Sequence, residues 1–361
     1  MNGPTILWQA KEQLAEEVSR ADNRDAQILS VSPWIAMALL QKAIRRGETA
    51  LALRAAKTLL EASPEKLWRR MGAIAFEDIG VADPETVALA TIALSGKRFR
   101  NQIGGEWRVA SYIVSRMART RQCRSADDLL LTAELHPVYK RARSELAERC
   151  TEGLLHIATG SADLVVRAIA AWYVIGTDRR PSTLLFERKG DPSALFDCMC
   201  EVGLPHSVVE ISREGFRRIG EVLCPFMALL FSQTIPPGAP AESDLFPPQR
   251  MIRDIPSWAF DMYSREGQAA YRIFLRSNAE SARWVRASIS ASHRLKFLGT
   301  AIFRVEGGLV RNRLRWEVGD KLRHSVDVEC HGSACPDATD LLALVREDIP
   351  AINEARIAHV G

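Results

Sequence analysis

The 361-residue chain predicts an all-α fold, and three observations carry that prediction. Four sites put a capping side chain directly before a proline, the arrangement that opens helices: Ser32-Pro33, Ser63-Pro64, Asp83-Pro84 and Asp191-Pro192. Apolar residues recur at helical spacing after these starts. The links between successive periodic stretches are short, so helical neighbours are expected to run antiparallel.

Residues 1–30 read as an N-terminal helical extension. After Pro33, the residues Ala36, Leu40, Ala43 and Ile44 form one stripe, and Gly47 supplies a C-terminal stop. The next helix carries Ala52, Ala55, Ala56, Leu59 and Leu60, and a third carries Leu67, Met71 and Ile74. The pattern continues over 84–95 and 105–119, then from Ser125 to about Cys150, which makes 31–150 one helical domain. A second helical array is expected over 151–234, with Val165, Ile169 and Trp172 in its core. The stretch IPPGAPAESDLFPP (235–248) reads as a linker or long surface loop. Residues 249–361 form a basic C-terminal region ending in a helix near 338–348. Within it, Val310, Leu314, Trp316 and Val318 alternate with Arg311, Arg313, Arg315 and Glu317. That spacing fits a small β-ribbon turning at Glu306-Gly307-Gly308, and a helix–loop reading stands beside it.

Hydrophobic residues at 47% and charged residues at 25% are ordinary for a soluble globular protein. A net charge of +4 permits nucleic-acid contact without demanding it. No stretch approaches the roughly 18 apolar residues of a membrane span. The first residues, MNGPTILWQAKEQLAEEVSR, lack a basic segment followed by an apolar run, so no secretory leader is expected. Seven scattered cysteines, an odd number, point to reduced thiols and a cytoplasmic location.

Chemistry-bearing motifs are few. The phosphate-loop pattern of glycine, four residues and Gly-Lys-Ser/Thr does not occur, and Gly104-Gly105 and Gly307-Gly308 read as turns. No serine sits in a nucleophile elbow. Cys198 and Cys200 are too close for a zinc knuckle, and the loose cluster His324, Cys330, His331 and Cys335 matches no standard finger. No catalytic residue, metal or cofactor is therefore assigned. Glu77 and Asp78 are adjacent, about 100° apart on a helix, so they are not a facing acid pair. They read as a helix–loop corner pairing with Arg69, Arg70 or backbone N–H groups.

Two basic regions stand out. Lys42, Arg45, Arg46, Arg69 and Arg70 fit one positive surface suited to phosphates, or a set of solvated or acid-paired helix faces. From Arg265 to Arg323, arginines including Arg311, Arg313 and Arg315 interleave with Trp284, Phe297, Phe303 and Trp316. This composition suits single-strand stacking, against the alternatives that the aromatics are core and that Asp327 and Glu329 neutralise the arginine row across a ribbon. In IPSWAFDMYSREG (255–267), the polar groups Asp261, Tyr263, Ser264 and Arg265 bunch inside an apolar stretch. They read as buried hydrogen bonds at a junction, with a ligand or enzyme site as the sharper alternative.

Residues 39–84 also carry a resemblance. Gln41-Lys42, Arg45-Arg46-Gly47, the alanine-rich Ala50 to Leu60, Arg69-Arg70, Glu77-Asp78-Ile79-Gly80 and Ala82-Asp83-Pro84 occur in order, followed by RQCRSADDLL at 121–130. Over about residues 30–150 the chain resembles the C-terminal helical region of the RarA/MgsA-type replication-associated recombination AAA+ ATPases, relatives of the clamp loaders. The resemblance implies an all-helical collar that drives homo-oligomerisation, association with DNA or an AAA+ ATPase partner, and a replication or repair context. About thirty residues precede the match, too few for the family's ATPase domain. The expected function is thus a non-enzymatic oligomerising scaffold, with a stand-alone nucleic-acid-binding protein and an enzyme centred on Asp261, Tyr263 and Arg265 as alternatives. No membrane association is expected.

Overall fold

The computed structural model describes residues 5–22, 25–160, 162–178, 182, 184–329 and 338–360. It is all-α, about 70% helical with twenty α-helices and only two-residue strands among the described residues. None of those helices is long and apolar enough to cross a membrane. Each proline-marked start opens a helix: Pro33–Arg45, Pro64–Ile74, Pro84–Ala93 and Pro192–Glu201. Ser32, Asp83 and Asp191 accept from the backbone N–H groups of Ile35, Thr86 and Ala194, satisfying donors that a helix leaves open at its first turn.

The chain divides into two compact units, each built from separate stretches. Unit 1 comprises Met1–Arg24, Trp68–Glu242 and Arg313–Gly332, and unit 2 comprises Asp25–Leu67, Ser243–Asn312 and Ser333–Gly361.

In unit 1, Leu164–Ile175 is apolar nearly all round (LVVRAIAAWYVI) and is buried accordingly. It packs against Ser125–Leu135, Lys140–Ala147, Thr151–Thr159, Pro192–Glu201 and Leu223–Leu230. Val165, Ile169 and Trp172 are core, and the Trp172 ring meets Phe226 edge-on. Ile6–Arg20 buries Leu14 and Val18 and packs on Pro84–Ala93.

In unit 2, Pro33–Arg45 packs along Thr49–Ala62, and Gly47 turns the chain at φ +68°. A second core gathers Tyr271, Phe274, Leu298, Val345, Ile349 and Ile352. It lies among Arg265–Phe274, Glu280–Ser288, Arg294–Ile302, Ala338–Glu347 and Ile349–Val360. Full burial of a large apolar side chain of this kind stabilises by roughly 1.5–3 kcal/mol.

Three expectations are corrected. The stretch from Ser125 breaks at His136-Pro137, where proline removes a helical donor, into Ser125–Leu135, a 3-10 turn Pro137–Tyr139 and Lys140–Ala147. Arg313–Leu314 is a strand, but it pairs antiparallel with Ala241–Glu242, and Glu306-Gly307 ends a π-helical turn rather than turning a hairpin. The C-terminal helical stretch is longer than 338–348, because Ile349–Val360 forms a further helix.

Candidate functional site

Among the described residues, three helices end in a widened π-helical turn, and each turn carries an acid that the rest of the unit holds in place. Pro64–Ile74 runs into Ala75–Ile79 with Glu77 and Asp78, Arg294–Ile302 into Phe303–Gly307 with Glu306, and Glu317–His324 into Ser325–Glu329 with Glu329. In such a turn the N–H reaches five residues back, as Gly80 does to Ala75 and Gly308 to Phe303 (2.7 Å). The extra residue re-aims the side chains that follow, which is why π-turns gather at special sites.

In unit 2 the turn at Phe303–Gly307 anchors a buried ionic cluster. Arg356 grips Glu306 with two parallel bonds, Nη1 to Oε1 at 3.0 Å and Nη2 to Oε2 at 2.7 Å, and their side chains are 0% and 2% exposed. The same guanidinium donates to the Phe260 carbonyl, Asn353 Oδ1 and the Tyr271 hydroxyl. Burial alone would raise the Glu306 carboxyl, but Arg356, then Lys42 and Arg46, hold it below the usual carboxylate range. Lys42 Nζ donates to Asp261 Oδ2 (2.6 Å) and to the Trp258 carbonyl (2.7 Å). Burial pulls this lysine below its ordinary range, with Asp261 opposing the shift.

Arg45 and Arg46 complete the cluster. Arg45 Nη1 donates to the Gly307 carbonyl at 2.7 Å and Arg46 Nη2 to the Glu306 carbonyl at 3.3 Å. Arg45 lies over the Phe303 ring, and Arg46 over Phe246 and Trp258 at 4.4 and 4.8 Å. Two glycines give the cluster room, the first because backbone leaves no space for a side chain and the second because a side chain there would displace Phe303. A Cβ on Gly267 would sit 1.9 Å from the Asp261 carbonyl oxygen, and one on Gly307 would meet Phe303 at 2.9 Å.

Unit 1 holds a second cluster. The Arg124 guanidinium, 2% exposed, bonds Glu77 at 3.1 Å and also bonds Asp78 and Asp127. Burial opposes its charge, yet Asp127, Asp78, Glu77 and Asp128 keep it well above the ordinary arginine range. The Asp78 carbonyl also accepts from Cys123 N–H at 2.8 Å, and Gly80 closes the corner at φ +49°.

A third feature, also in unit 1, is a cleft of about 890 Å³ lined by residues that include His136, Tyr139, Asp163 and Glu329. His136 Nε2 meets Glu329 Oε2 at 2.9 Å, while its Nδ1 accepts from Val138 N–H at 3.2 Å. The ring proton of the neutral imidazole therefore sits on Nε2. With both nitrogens engaged, His136 positions Glu329 rather than offering a vacant base.

Placement of the residues singled out in the sequence is uneven. Lys42, Arg45 and Arg46 are buried within unit 2 and bonded to internal partners, so they form no phosphate-facing surface there. Arg69 is exposed and Arg70 half-buried in unit 1, and Arg311 is exposed in unit 2. Arg313 is buried, and Arg315 pairs with Asp320 and Glu242. Glu77 and Asp78 take Arg124 as partner rather than Arg69 or Arg70. The aromatics are mostly packing groups: Trp284 stacks on Phe297 against the unit 2 core, and Trp316 is buried. Asp327 pairs with Arg323 at 3.5 Å and Glu329 with His136, while the acid that meets Arg315 across the strand pair is Glu242.

Asp261 points inward to Lys42, whereas Tyr263 is 67% exposed and Arg265 is exposed. The space beside Lys42 and Asp261 is about 10 Å³, room for a single water at most. The buried hydrogen-bonded junction is thus the arrangement found, without a substrate-sized pocket. Cys330, His331 and Cys335 lie outside the described residues, and among those described no three His, Cys, Asp or Glu side chains are placed to hold a metal.

Sequence reading missed Glu306, Tyr271, Arg356 and Arg124. The one available signal was the helical spacing of Ile349, Ile352 and Arg356. Comparison with known protein families, curated proteins and solved structures finds no match.

Proposed function

We propose that this chain is a helical scaffold that self-associates and works beside a replication or repair ATPase, the role that the resemblance of residues 30–150 implies. One observation supports this reading above the others. Five of the residues that carry the resemblance, Lys42, Arg45, Arg46, Glu77 and Asp78, act as internal ties between helices and turns of their own unit. A motif used in this way is architectural, as a collar requires, and its chemistry faces inward.

Contact with DNA, in this reading, falls to the arginines at the surface. The variant Arg69→Glu plus Arg311→Glu separates the two functions, since surface changes of this kind alter stability by no more than about 0.5 kcal/mol. Fluorescence anisotropy with single-stranded, duplex and forked DNA at two salt concentrations reads the result. Salt-sensitive binding lost in this variant assigns the DNA contact to these arginines. Unchanged binding removes them, and absence of binding at low salt leaves a protein-interaction scaffold. Arg45→Glu plus Arg46→Glu is unsuitable as a binding test, because it places two acids in the buried cluster beside Glu306.

A further inference from the structure

We propose that the unit 1 cleft at Tyr139 binds an aliphatic ammonium or guanidinium group. Its walls come from the Pro137–Tyr139 turn, the start of Leu164–Ile175, and the helix and π-turn running from Glu317 to Glu329. At about 890 Å³ it lies within the size range of small-ligand sites.

The charge balance decides the ligand class. Glu317 pairs with Lys321 at 2.6 Å, and Asp320 with Arg315 at 3.0 Å, so these cancel. Asp163 and Glu329 remain. Asp163 accepts from the N–H groups of Val165 (2.9 Å) and Val166 (3.3 Å) and from the Tyr139 hydroxyl. Glu329 Oε2 meets His136 Nε2 at 2.9 Å, and its Oε1 lies 4.0 Å from the exposed His324 Nε2. The backbone N–H groups and the Tyr139 hydroxyl that meet Asp163 carry no charge, and among the described residues no lysine or arginine pairs with Asp163 or Glu329; the His136 bond and the neighbouring His324 hold the Glu329 carboxyl below the usual carboxylate range.

Both charges act at one point. Burial first, then Asp163, then Glu329 push the Tyr139 hydroxyl up to about 12. An anion entering here meets two carboxylates, while a cation meets them together with the Tyr139 ring. Leu164, Val165, Val318 and Leu322 supply an apolar wall for an alkyl stem, the surface that lysine-like groups cover while their charged end stays polar. A free polyamine and a lysine side chain of a partner share this chemistry.

The test is calorimetric titration of the full chain at low salt with spermidine, with N-acetyl-lysine amide, and with 1,4-butanediol as the uncharged control. Asp163→Asn and Glu329→Gln keep the oxygens that accept from Val165 and His136 while removing charge. Glu354→Gln, an exposed acid of unit 2, controls for diffuse attraction. We expect saturable binding of a cation, none of the diol, and about tenfold weaker binding in the double variant alone. Preference for spermidine assigns a free polyamine, and preference for the lysine amide assigns a partner's side chain. Equal affinity in wild type and double variant, equal loss in Glu354→Gln, or no saturable binding of either cation overturns the proposal.

Discussion

In unit 2 the buried charges meet mostly in pairs, whereas in unit 1 one cation serves three acids. Lys42 joins Asp261 across 219 positions of sequence, and Glu306 joins Arg356 across 50. Arg124 instead gathers Glu77, Asp78 and Asp127 from two short stretches. Each cluster sets part of its acids on a π-helical turn that ends at glycine, Glu77 and Asp78 before Gly80 in one and Glu306 before Gly307-Gly308 in the other. The difference teaches that a pair is removable as a unit, while a shared cation is not. Desolvation weighs on every buried charge, and a group survives there only while its partner is present.

Arg124→Met gives the largest expected effect. It leaves three carboxylates without their shared cation, one of them fully buried, and costs at least about 3–5 kcal/mol in chemical denaturation. Neutralising any single acid in that background restores only part of the loss. Full rescue by Asp78→Asn alone would show that the acids do not share the cation equally.

Arg356→Met comes next, at about 3–5 kcal/mol, because Glu306 is then buried without its bidentate partner, with only the more distant charges of Lys42 and Arg46 acting on it. Adding Glu306→Met recovers most of that loss, since two apolar side chains of similar volume replace a desolvated pair. A double variant as unstable as the single would place the value of the pair in its bonds to Phe260, Asn353 and Tyr271 instead.

A smaller effect is the pH dependence of Glu306→Gln. The folded-state carboxyl of Glu306 is held below its unfolded value, so its contribution is present above the unfolded range near about 4.3 and lost as pH falls through the lower folded value. The stability gap between wild type and Glu306→Gln, followed by thermal melts, narrows as pH drops below about 4. A gap that widens on acidification contradicts the ionised pair.

The helices were legible because their signals are local. Ser32-Pro33, Asp83-Pro84 and the Ala36 to Ile44 stripe each lie within one or two turns, and their physics needs no distant partner. The clusters were less legible for the opposite reason. Nothing near Lys42 announces Asp261, and nothing near Glu306 announces Arg356. A run such as Lys42, Arg45 and Arg46 looks the same in sequence whether it faces solvent or carbonyls and rings from residues 246–307. The π-turns were also invisible, because one added residue in a helical ladder changes aim without changing the apolar period. Glu77 and Asp78 illustrate this: 100° apart on a regular helix, they reach one guanidinium from the widened turn.

If the inward-facing motif residues build a self-associating scaffold, light scattering coupled to size exclusion detects the assembly. For the 40.1-kDa chain at micromolar concentration, the expected result is a stable mass at a multiple of that value. A mass of 40.1 kDa that does not rise with concentration would contradict it.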